Sequence, residues 1–149
     1  MSASNSFENG LLLLLFNNTA YANWGDATGL RATTTAGSLF VALHTADPGE
    51  AGSQTTSEAN YTGYARVAVA RSSGGWTVSG TAPTQAANAA AVTFGLCSAG
   101  SNTITHFSVG RDTSGAGEIL ASGALTANLA VSAGITPSFA IGQLTVTLD

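Results

Sequence analysis

A chain of 149 residues and 14.8 kDa suffices for one compact domain, since folding at that length buries about 70% of the unfolded surface without help from a metal or disulfide. Charged residues make up only 8% of it and Lys is absent, the basic side chains being Arg31, Arg66, Arg71 and Arg111. A net charge of −4 and a pI near 4.8 exclude the basic footprint of a nucleic-acid-binding protein, and an apolar fraction of 44% excludes disorder.

The chain begins with an apolar segment unlike the rest. Ser4 or Ser6 is placed to cap a short helix, with Phe7 and Glu8 in its first turn and Asn17 or Asn18 at its end. The run Leu11 to Phe16 spreads five leucines around such a helix, so it needs burial against more than one surface, one of which a neighbouring subunit can supply. A wholly buried strand is the alternative, because short apolar runs do not separate the two; helix is the preferred reading. The run is too short for a membrane span and follows no basic residue, so the expectation is a soluble protein without a signal peptide that stays in the compartment where it is made.

From residue 38 the apolar period becomes two. Strands are expected over Ser38–His44, Tyr61–Arg71, Trp76–Val78, Ala89–Phe94, Thr103–Val109, Glu118–Thr126, Asn128–Val131 and Leu144–Leu148, with Glu50–Asn60 and Thr81–Asn88 as loops. In Thr103–Val109 the alternation shifts at His106, which marks a candidate bulge. Turn signals at Gly74-Gly75, Gly100-Ser101-Asn102, Asp112–Gly115 and Gly134 separate the runs. The pattern is mainly β: an antiparallel, jelly-roll-like β-sandwich with a short N-terminal helix. Residues 1–37 read as helix and contact arm, and residues 38–149 as the β-sandwich.

Chemistry-bearing groups are few. His44 and His106 are the only imidazoles; a metal site would have to recruit Asp47 or Asp112, and a structural role for each His within a strand is preferred. Asp47, Glu50 and Glu58 share a polar segment, as a glycosidase pair would require, but Trp24 and Trp76 do not flank them, and solvated loop acids are expected. The loop Gly110–Glu118 lacks the oxygen-ligand spacing of an EF-hand and reads as a hairpin connection. The lone Cys97 has no neighbour to activate it, and Asn17 and Asn60 match the glycosylation pattern only formally. No catalytic residue, metal ligand or cofactor site is assigned. A surface poor in charge leaves few ionic groups to desolvate at a contact, which favours a protein that works against its neighbours.

The order of the pieces resembles a family. Phe7-Glu8-Asn9 with the leucine run, Asn18-Thr19-Ala20-Tyr21, Leu39 to Pro48, Tyr64-Ala65-Arg66, Ala90 to Phe94, Thr105-His106-Phe107, Gly123-Ala124-Leu125 and the closing Leu144–Asp149 are together similar to small virion proteins of tailed bacteriophages. The resemblance implies a non-enzymatic structural role: a capsid cement or decoration protein bridging capsomers on the outer shell, or alternatively a tail- or fibre-associated adaptor. A carbohydrate-binding β-sandwich is the reading outside the virion. Cement is preferred because no shaft repeat or cell-binding tip is visible. The partners it implies are further copies of the chain and the major capsid or tail proteins, with no nucleic acid and no membrane. Leu12, Leu15, Phe16 and Trp24 are the candidate partner-binding residues, and residues 25–37 a candidate insertion.

Overall fold

A computed structural model describes residues 3–22, 29–80 and 84–148. The protein is mainly β, with antiparallel sheets and one short N-terminal helix, consistent with a β-sandwich. In chain order the elements are α1 (Asn5–Asn17), β1 (Ser38–His44), β2 (Val67–Ala70), β3 (Trp76–Ser79), β4 (Thr84–Asn88), β5 (Val92–Thr93), β6 (Ser101–Gly110), β7 (Ile119–Ser132), β8 (Ser138–Phe139) and β9 (Thr145–Leu148). They group into two compact units: residues 1–38, 70–91 and 139–149 form one, residues 39–69 and 92–138 the other. This boundary differs from the expected one at residue 37, because α1 shares a unit with strands from the middle and end of the chain.

In the first unit Ser4 caps α1 by accepting a hydrogen bond from the Phe7 amide, and Asn18 ends it in the left-handed region at φ 53°. Leu12 and Phe16 are each 1% exposed, and the Phe16 ring meets Trp76 edge-on at 4.9 Å. Leu11, Leu13, Leu14 and Leu15 are half-buried. The helix has no basic residue in its last turn. Arg71 supplies the missing charge, donating to the Leu15 carbonyl at 2.7 Å and the Leu14 carbonyl at 2.8 Å. The sheet beside the helix runs β3-β4-β9. Residues 84–88, expected as a loop, are its central strand: Thr84, Ala86 and Asn88 turn one buried face inward. Asn88 ties the strand down, donating to the Ala90 and Ala140 carbonyls and accepting from the Leu144 amide.

The second unit carries the sheet β2-β1-β6-β7. Strand β1 pairs antiparallel with β6 from Phe40↔Gly110 to His44↔His106, and Val41 to His44 are all buried. The β6–β7 register runs from Ser101↔Ser132 to Ile104↔Leu129 and resumes at His106↔Ala124. Residues 125–128 therefore stand opposite Thr105 alone, a bulge at the place where the sequence alternation shifts. Two strands expected on either side of residue 127 are one bulged strand. Of the strand expected over 61–71 only residues 67–70, and of that over 89–94 only 92–93, form regular strand, Thr62 joining Ala99 by an isolated bridge.

Candidate functional site

Two polar assemblies stand out, both in the second unit. The first is buried. Glu58 bridges to His44 across neighbouring backbone and points its carboxylate at Arg66 and Tyr64. Arg66 donates to both Glu58 oxygens, from Nε at 2.7 Å and from a terminal nitrogen at 2.8 Å, and two further donors reach the Asp112 and Gly115 carbonyls at 2.9 and 2.7 Å. Four of the five guanidinium N–H donors are thereby used, and the bidentate pairing with Glu58 holds it above its ordinary basicity. The Tyr64 hydroxyl donates to Glu58 at 2.9 Å and accepts from the Leu43 amide at 3.1 Å; burial pushes its phenol well above the usual range. Glu58 is thus a half-buried ion-pair partner, not the solvated loop acid expected of it.

His44 completes this cluster. Its Nδ1 lies 2.8 Å from the Thr56 carbonyl, which can only accept, so Nδ1 carries the proton. The Nε2 lone pair then accepts from the Ser108 hydroxyl at 2.8 Å. Burial lowers the His44 pKa below its ordinary value of 6.5, which suits this neutral tautomer. A serine hydroxyl on a histidine Nε2 is the geometry of an activated nucleophile. Here both residues are 0% exposed, so no substrate atom can approach the hydroxyl. The pair is a cross-strand link between β1 and β6, as the structural reading of His44 anticipated.

The second assembly is open. A groove of about 580 Å³ is lined by Asp47, Gly49 and Glu50 on one side and by Ile119 to Ala124 of β7 on the other, with His106 also in its lining. Asp47 shapes the loop by accepting from the Gly49 amide at 2.9 Å, and Gly49 takes φ 68°, a conformation that favours glycine. Beyond the groove the loop is anchored: the Gln54 amide donates to the Gly117 carbonyl, and the wholly buried Gln54 side chain accepts from the Asp112 amide at 2.9 Å. His106 is half-buried, its Nδ1 2.8 Å from the Thr105 hydroxyl.

The structure therefore separates the residues that sequence reasoning placed together. Asp47 and Glu50 reach the groove, while Glu58 is committed to Arg66. Trp76 is fully buried and Trp24 lies outside the described residues, so no described tryptophan flanks the acids. Asp112 and Glu118 each lie 3.5 Å from Arg111. Among the described residues no three His, Cys, Asp or Glu side chains gather as metal ligands. Of the expected partner contacts, Leu12 and Phe16 are consumed by the core of their own unit, because an apolar helix face beside Trp76 gains most by burial there; Leu15 keeps partial exposure.

The chain falls among bacteriophage structural proteins: a scan against protein-family models matches residues 2–147, nearly its whole length, to one of them. The chain belongs to that family, described as podophage GP4 fiber I protein gp80. A search of curated proteins finds no match. The membership bears out the resemblance to small tailed-phage virion proteins and weighs against the preference for capsid cement, since the family is described by a fibre and not by a shell.

Proposed function

We propose that this chain is a tail- or fibre-associated structural component of the phage virion that acts by packing against neighbouring proteins and catalyses no reaction. The observation that carries the reading is the fibre-family match across residues 2–147. Composition supports it: with 8% charged residues and no Lys, contacts bury few ions that need compensation. So does the use of the buried His44, Ser108 and Arg66 and the half-buried Glu58 in internal hydrogen bonds. Self-association belongs to the same proposal, with the half-exposed side of Leu15 as one contact.

The test is to omit the chain from assembling phage and to fractionate the particles into heads and tails. A tail-associated component co-purifies with tails; particles lacking it keep heads of normal heat resistance and adsorb poorly to cells. Heads that burst on mild heating, together with normal adsorption, would restore the cement reading and overturn this one.

A further inference from the structure

Strand β7 is the last strand of its sheet, so alternate backbone N–H and C=O groups along it point away from β6. Sheet edges are commonly guarded by Lys, Pro or inward charges. Ile119–Ser132 contains no charged residue and no Pro. Its register with β6 breaks twice, at the bulge of residues 125–128 and at Leu120, which is unpartnered between Ala121↔Val109 and Ile119↔Gly110; Ala121 to Ala124 form the uninterrupted edge between the two, continued by Ile119 past the bulged Leu120. The acidic loop of residues 47–50 faces this stretch across the groove. Among the described residues no backbone hydrogen bond joins residues 47–50 to residues 119–124; the loop meets β7 only beyond the groove, where Ser53 bridges Glu118.

Three features describe what would fit. Six residues of strand, one of them the bulged Leu120, extend at most about 20 Å, the length of a short peptide strand. Ala121, Ser122, Gly123 and Ala124 are small and allow a second main chain to approach. The only carboxylates in the lining, Asp47 and Glu50, are exposed, and the lining holds no Lys or Arg, its one imidazole being the half-buried His106. The geometry points to β-augmentation: an extended segment of another protein, bearing Lys or Arg, adds as a strand along Ile119 to Ala124 beneath the acidic loop. Main-chain hydrogen bonds supply the affinity, and Asp47 and Glu50 select the cationic side chains. A second copy is a poorer occupant, because the chain has no Lys and a net charge of −4.

The test uses the full chain and two capped hexapeptides, Val-Lys-Val-Thr-Val-Lys and its counterpart with Glu in place of Lys, followed by amide NMR and hydrogen exchange. The expected result is slowed exchange at residues 119–124 with the basic peptide and at least tenfold weaker binding of the acidic one. The double variant Asp47→Asn, Glu50→Gln should bind the basic peptide at least fivefold more weakly with its spectrum otherwise unchanged. Equal affinity for the two peptides, protection elsewhere, or no binding would overturn the proposal. So would concentration-dependent dimerisation that protects residues 119–124 without peptide, since a second copy would then fill the groove. None of these outcomes depends on whether the chain resides in tail or head.

Discussion

The Glu58–Arg66 pair shows how a buried charge is kept when the surroundings are mostly apolar. The Arg66 side chain is 2% exposed and that of Glu58 16%, and four of the five guanidinium donors find an oxygen. Breaking such a pair from one side strands the other charge, at a cost of about 3–5 kcal/mol. Glu58→Gln and Arg66→Met should each lower the urea midpoint sharply. The double variant should lose much less than the sum of the two, because no uncompensated charge remains. His44 makes a second prediction. Its folded-state pKa lies below 6.5, so acidification protonates the unfolded chain first and draws the equilibrium toward it. The His44 contribution is complete above pH 6.5 and is lost as pH falls from there through the lowered folded value, with a slope of at most about 1.4 kcal/mol per pH unit. Urea midpoints measured from pH 7.5 to 5 should fall for the wild type, and less steeply for His44→Gln. Neither cluster was legible beforehand: His44 and Ser108 are 64 positions apart, and a single sequence carries no sign of that pairing.

Helix α1 was legible because its ends are written locally, in Ser4 at the start and Asn18 at the close. Strand β4 was not. Thr-Gln-Ala-Ala-Asn has one β-branched residue, and what makes it a strand is its place between β3 and β9, a tertiary effect that outweighs propensity. The bulge in β7 was half legible: His106 marked the irregularity on β6, but the three extra residues lie on the partner strand. Gly10 tests whether packing or propensity rules in α1. Ala is favoured over Gly in a helix interior by about 1 kcal/mol. A Cβ at Gly10, however, would clash with carbons of the Tyr21 ring, whose hydroxyl donates to the Ser6 carbonyl at 3.2 Å and whose centroid lies 6.2 Å from that of Phe7 at a tilt of 45°. Gly10→Ala should therefore destabilise the protein by about 1–3 kcal/mol in thermal or urea unfolding. In a Tyr21→Ala background the same change should stabilise it, since only the propensity remains.

Each unit has its own core, and the first is assembled from both ends of the chain and from its middle. That arrangement changes what an N-terminal truncation means. As a contact arm, residues 1–16 would be removable without harm to the fold. Instead Leu12 and Phe16 lie at 1% exposure beside a fully buried Trp76, so the truncation opens a large apolar void where large-to-small changes alone cost about 3–5 kcal/mol per residue. The truncated chain should lose the slow amide exchange of residues 84–88, the central strand packed beside the helix, and should also fail to enter particles. Failure to assemble would then report unfolding and say nothing about docking. Leu15→Gln separates the two, because Leu15 is only half-buried and a polar residue of similar length is tolerated there. This variant should melt within a few degrees of the wild type, keep the protection of residues 84–88, and show reduced incorporation when particles are assembled with equal amounts of variant and wild type. Equal incorporation would confine the leucine run to the core of its own unit and leave the contacts of the virion to other surfaces of the chain.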